Sequence, residues 1–166
     1  MTTQIKGNAT STFGGNIDVI GNVVTDAPIF NVKLTSGNQS ITPATWTKVN
    51  FNSVNLDNKS WFDSTTNYRY AAQTAGWYLF TYEVYHSTSG SASLVTCALR
   101  KNGTEVGRGI YCAPALNQYA VVNGTNMIYM NGTTDYVEVY GYIDGTSPVF
   151  SNNKCYFSGT LLRADS

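Results

Sequence analysis

The sequence predicts an all-β protein, a jelly-roll β-sandwich of about ten strands, and three observations carry that prediction. No run of a dozen residues keeps the i, i+3, i+4, i+7 apolar spacing of a helix without Gly, Asn or β-branched residues interrupting it. Segments with period-2 alternation, rich in Val, Ile, Thr, Tyr and Phe, recur along most of the 166 residues and are divided by turn residues. Three Asn-Gly-Thr triplets, at Asn102, Asn123 and Asn131, offer the two positive-φ positions of a type I′ hairpin turn.

In chain order, strands are expected at Ile29–Leu34, Lys48–Val54, Tyr68–Ala71, Trp77–His86, Leu94–Lys101, Glu105–Tyr111, Gln118–Val122, Asn126–Met130, Tyr136–Ile143 and Cys155–Leu162. Pro28 precedes the first of them. Asn102-Gly103, Asn123-Gly124 and Asn131-Gly132 separate consecutive later strands and are read as hairpin turns. In Trp77–His86 the even positions Tyr78, Phe80, Tyr82 and Val84 share one face, and Trp77, Leu79, Thr81, Glu83 and Tyr85 share the other. A strand this apolar on both faces packs on something on each side.

Residues 1–27 differ. Gly7-Asn8, Gly14-Gly15-Asn16 and Gly21-Asn22 punctuate short alternating pieces, with too few large apolar side chains to build a core. They are read as an N-terminal arm or stem for attachment or trimerisation, with residues 28–166 forming the head.

Composition excludes several classes. Ten basic and ten acidic residues balance to a net charge of zero, and only 12% of residues are charged. Asn, Thr, Ser and Gly together make 67 residues, so solubility rests on neutral hydroxyl and amide groups. Phosphate neutralisation needs surplus Lys and Arg, so no nucleic acid partner is expected. A polybasic membrane surface role is disfavoured for the same reason. No window approaches the roughly 18 apolar residues of a membrane helix, so no membrane insertion is expected. Met1–Gly15 has no apolar stretch of the secretory kind. Cys97, Cys112 and Cys155 form an odd set without CxxC spacing and are read as free thiols, with one closed pair as the alternative.

From Pro28 onward the chain resembles the C1q-like domain of the C1q/tumour-necrosis-factor jelly-roll superfamily. Phe51 is followed after five residues by Asp57 and after four more by Phe62; Tyr70 comes after a further seven residues, where the family pattern has Phe after six. Gly76, Tyr78, Phe80 and Tyr82 complete the signature, and CYFSGTLLRA is similar to the family's last strand. The resemblance implies a homotrimer, with Trp77, Leu79, Phe157 and Leu161 as subunit contacts. The Gly/Asn-rich segment 1–27 is similar in composition to the stems of bacteriophage tail fibres that end in such heads.

Catalytic chemistry finds little support. His86 is the single histidine, no G-x-S-x-G elbow or HExxH motif occurs, and no carboxylates are paired by spacing. No enzyme and no cofactor are expected. Asn55–Asn58 and Asp63–Asn67 carry oxygen ligands of the type calcium prefers, which leaves a bound calcium open. Six Asn-x-Ser/Thr triplets are read as turn chemistry, three of them being the Asn-Gly-Thr turns. Tyr among Asn, Ser and Thr suits adaptable recognition, and Trp61, Tyr68 and Tyr119 are the candidate head-loop contacts. The expected function is a trimeric bacteriophage virion protein, made in the host cytoplasm: a tail fibre or fibre tip that contacts host surface polysaccharide or protein. Residues 1–27 would join it to other virion proteins. Capsid decoration is the alternative, and a secreted C1q-like ligand-binding protein is the third reading.

Overall fold

The structure, a computed structural model, describes residues 26–112 and 119–165. The expected arm falls almost entirely outside the described residues. The strands are β1 (Ile29–Lys33), β2 (Gln39–Ser40), β3 (Thr47–Lys48), β4 (Ser53–Asp57), β5 (Phe62–Asp63), β6 (Arg69–Ala71) and β7 (Ala75–Ser87). They continue with β8 (Val95–Lys101), β9 (Thr104–Arg108), β10 (Tyr119–Asn131), β11 (Tyr136–Ile143), β12 (Val149–Phe150) and β13 (Tyr156–Ala164).

Two antiparallel sheets face one another, as the all-β sandwich expectation requires. Sheet A is built on β7. Along one side β10 pairs with β7 from Tyr119↔Ser87 to Asn131↔Ala75; along the other, β13 pairs with Gly76–Glu83 and β12 with His86–Ser87. β1 and then β4 extend the sheet beyond β13, and β2 lies beside β12. Sheet B runs β5-β6-β11-β8-β9, with β3 also on β11. The even positions of β7 point inward: Tyr78, Phe80, Tyr82, Val84 and His86 are buried. They meet Phe30, Tyr70 and Phe157, with Phe30 stacked on Tyr70 at 4.2 Å and edge-on to Phe157 at 4.9 Å. Each such side chain contributes about 1.5–3 kcal/mol of burial free energy, so the aromatic signature residues are the core itself.

Among the described residues thirteen strands replace the expected ten, for identifiable reasons. Lys48–Val54 divides: β3 pairs with β11 in sheet B and β4 with β1 in sheet A, so the intervening residues form a corner between the sheets. β2, β5 and β12 are two residues each, too short for alternation to register. Gln118–Val122 and Asn126–Met130 are instead parts of one strand. Asn123-Gly124 is not a turn; it pairs with Glu83 and Tyr82 in the middle of β10. The glycine is needed because a Cβ there would lie 2.3 Å from the Tyr82 hydroxyl. Tertiary pairing along β7 overrides the local turn preference of Asn-Gly. Asn102-Gly103, with φ of 52° and 82°, does form the expected hairpin turn, joining β8 to β9. Asn131 works differently: its Oδ1 accepts the backbone N–H groups of Thr133, Thr134 and Asp135, turning the chain from sheet A to sheet B.

Candidate self-association face

The outer face of sheet A follows from strand parity. On β7 the odd residues point outward, and their cross-strand partners on β10, β13 and β1 share that face. At the end of the sheet where the chain enters, Trp77 is 45% exposed, Met127 57% and Leu162 49%. These three, with Arg163, line a cavity of about 290 Å³. Tyr129 stands edge-on to Trp77 at 5.8 Å, and Ile29 and Leu56 extend the apolar surface along a second cavity with Leu79 and Thr160. The centre is polar: Thr81, Thr125, Asn123 and Ser158 surround a third cavity with the carboxylate residue Glu83, and the Thr81 and Ser158 hydroxyls are 2.7 Å apart. At the other end Tyr85 and Tyr119 meet at 5.8 Å beneath the Lys154 ammonium, 4.3 Å above the Tyr85 ring.

Trp77 and Leu79 lie on this face, where strand parity puts them. Phe157 does not. It is fully buried, paired with Tyr82, and packs against Phe30, Phe51 and Phe80 within its own subunit. Leu161 pairs with Tyr78, points the same way and packs partly buried against the core. The outward residues of β13 are Tyr156, Ser158 and Thr160, followed by Leu162 at a register shift between Leu161 and Arg163. Met127, Tyr129 and Leu162 were not anticipated. Alternation would have found Met127 and Tyr129 had β10 been read as one strand; the bulge that exposes Leu162 has no mark in the sequence.

The recognition candidates are dispersed. Trp61 lies between β4 and β5, half-buried, its ring 6.2 Å from core Tyr70. It is two residues from Lys59, which is ion-paired with Asp26, so Trp61 sits at the end where the chain enters. Tyr68 occupies a turn position with φ of 50° just before β6. Tyr119 is a strand residue at the opposite end of sheet A, separated from the Trp77 end by β7, which spans roughly 40 Å at 3.3 Å per residue. Exposed Ile110 and Tyr111 precede the segment leading to Tyr119.

Other polar groups have structural partners. Asp63 accepts the backbone N–H groups of Thr65, Thr66 and Asn67 and the Asn67 side-chain amide, which hold its carboxyl far below the usual range. Asp57 accepts from the backbone of Lys59 and Phe62. Both calcium-candidate loops thus direct N–H donors at their carboxylates. Among the described residues no three His, Cys, Asp or Glu side chains cluster as a metal set. His86 is buried, its Nδ1 3.2 Å from the Val84 carbonyl and its ring edge-on to Phe150; burial pushes its pKa down to about 4. The three cysteines are free, and burial pushes the Cys97 thiol up to about 12 and that of Cys155 to about 11.

The two-sheet antiparallel sandwich and its signature aromatics define a jelly-roll head of the kind shared by complement and tumour-necrosis-factor proteins. A model of the C1q domain family matches residues 29–162, and the chain belongs to that family. The chain is similar in structure to the globular domain of zebrafish complement 1qA protein, with a TM-score of 0.59 at 19% identity over 84% of this chain and 100% of that one. Murine APRIL gives 0.59 at 11% identity over 82% and 100%, and the Eiger TNF of S. frugiperda 0.59 at 9% over 84% and 95%. At these identities the likeness shows the fold. A search of curated proteins found no match.

Proposed function

We propose that this chain is a non-enzymatic homotrimeric virion protein of a bacteriophage, a tail-fibre tip that meets the host surface. The observation that carries the assembly is the outer face of sheet A, where Trp77, Met127 and Leu162 stand bare beside one another. Apolar surface of this kind on a folded domain marks an interaction site, and C1q-like heads assemble as trimers. The virion role draws on the Gly/Asn-rich segment 1–27, which carries three charged residues and whose Asp26 meets the head at the Trp77 end. Contact with the host then belongs to the far end, with Ile110, Tyr111 and Tyr119 rather than Trp61.

Light scattering on the purified chain tests the assembly: the expected mass is about three times the 18.1 kDa subunit, and a monomer mass overturns it. Gold-labelled antibody on phage particles tests the role. Label at the tail tip is expected, label over the capsid would establish decoration instead, and protein found only free in the medium would point to a secreted ligand-binding protein.

A further inference from the structure

The outer face of sheet B, turned away from the proposed subunit contact, carries a second arrangement that assembly does not use. The hydrogen bond from the Ala44 N–H to the Ile143 carbonyl (2.8 Å) and the Thr47↔Gly141 pairing hold Trp46 over β11. Its ring lies 5.5 Å from Tyr142. The guanidinium of Arg108 lies 5.3 Å from the Trp46 ring centre; that of Arg100 lies 5.6 Å from Trp46 and 4.1 Å from Tyr140. Beneath this layer Ala98 and Thr96 are buried on the outward side of β8, and Ala98 stands apart from the main core cluster. Trp46, Leu94, Thr96, Arg108 and Tyr142 line a cavity of about 240 Å³.

Charge and size narrow what this cavity can take. Lys48 is paired with Glu138, and Arg108 with Glu105 through Nε and Nη2. Arg100 enters no ion pair among the described residues, and its buried Nε has no hydrogen-bond partner. Near Trp46 the positive charge of Arg100 is therefore left without an ion pair, and Nη1 of Arg108 remains uncommitted. The Asp144 carboxylate stands at the other end of the cavity, where it accepts the Leu94 N–H. The volume falls below the roughly 300 Å³ where pockets for drug-sized ligands begin. One surplus cation suits one carboxylate, whereas a polyphosphate needs several. Trp46, with its ring partly covered by the two guanidinium groups, and Tyr142 beside it give the cavity an aromatic wall suited to the flat C–H face of a sugar ring, which Tyr and Trp contact at low entropy cost.

We propose that this cavity binds a carboxylate-bearing sugar residue of a surface glycan, with the ring on Trp46 and Tyr142 and the carboxylate on Arg108 Nη1 in the field of Arg100. Leu94, Thr96 and Tyr142 place the cavity toward the end away from the entering chain, since β8 begins there and Tyr142 pairs with Thr96. The proposal deepens the host-contact reading and rests on it for the source of the glycan, but not for the chemistry of the cavity.

The test is calorimetric titration of the full chain with trigalacturonic acid, a glucuronate trisaccharide and 3′-sialyllactose, each beside its neutral methyl ester. At least one acid is expected to bind at least about tenfold tighter than its ester, the factor that corresponds to one charge-assisted contact of about 1.4 kcal/mol. Trp46→Ala is expected to abolish that binding, and Arg100→Met to equalise acid and ester, with mass and thermal midpoint close to wild type. Absence of binding by all three acids, equal binding of acids and esters, or binding that survives Trp46→Ala overturns the proposal. Should Trp46→Ala misfold, Arg100→Met and Arg108→Gln carry the same test. Whole-cell adsorption separates the two readings: adsorption unchanged in Arg100→Met removes the cavity from host contact, while loss of adsorption in wild type removes host contact and leaves the titration to judge the cavity.

Discussion

The outer faces of the two sheets solve the same problem in opposite ways. Each covers a layer of strands whose inner side is filled by core aromatics. Sheet B finishes its own surface: small residues, Ala98 and Thr96, lie beneath Trp46, Arg100, Tyr140 and Tyr142, and two ion pairs close the edges. Sheet A leaves Trp77, Met127 and Leu162 exposed, with Arg163 at the edge of their cavity and Lys101 beside the neighbouring Tyr129 ring. Long cationic stems shield apolar surface from water while keeping their heads wet; on sheet A Lys154 lies closest, 4.3 Å from the Tyr85 ring, and Lys101 stands off at 5.9 Å from Tyr129. Sheet B covers most of its own apolar surface within a subunit; sheet A leaves more of its own bare.

The largest effect expected from breaking this contrast is on assembly. Met127→Glu combined with Trp77→Glu puts unpaired carboxylates where a partner would exclude water, at a cost of several kcal/mol per charge. The scattering mass is expected to fall to that of a single chain with circular dichroism unchanged, while Arg100→Met on sheet B leaves the mass as it was. Next comes the inside-outside pair on β13. Phe157→Ala is expected to cost about 3–5 kcal/mol in denaturant unfolding, and Ser158→Ala, one residue along and outward, less than about 0.5 kcal/mol.

Acid should weaken the core through His86. Its folded pKa lies at about 4, below the ordinary value of 6.5, so the unfolded chain takes up a proton first. Stability is full above about pH 6.5 and is lost as pH falls toward 4, by up to about 3 kcal/mol. A His86→Gln variant should flatten that part of the pH profile. Asp63 acts with the same sign in a lower window: its folded pKa is depressed by backbone donors, so its contribution is present above the usual carboxylate range and lost below it. Gly124→Ala is expected to cost about 1–3 kcal/mol by overpacking against Tyr82. Trp46→Ala should lower monomer stability by about 1 kcal/mol, the scale of an exposed cation–π contact.

Legibility in the sequence tracked how local each cause was. The inward set Tyr78, Phe80, Tyr82 and Val84 could be read because alternation along one strand needs no partner. Asn102-Gly103 could be read because its hairpin neighbours are adjacent in sequence. Asn123-Gly124 could not, because its fate is settled by thirteen residues of pairing with β7, and Phe157 was misplaced because parity on the last strand depends on its register against Tyr82. Trp46 escaped notice for a related reason: the two arginines that stack on it come from β8 and β9, more than fifty residues later. Of the candidate face, Trp77 and Leu79 were legible; Met127, Tyr129 and Leu162 depended on long-range pairing and a bulge.

The course of β1 bears on how the head would carry a load. The chain passes from Asp26 straight into Ile29–Lys33, hydrogen-bonded to β13 on one side and β4 on the other. Antiparallel ladder bonds lie perpendicular to their strands. A pull on the chain ahead of Asp26, resisted at the opposite end of the head, runs along β1 and strains all of those bonds together in shear. Peeling them one at a time would require a sideways pull. Such a pull thus loads the head in its mechanically strong direction.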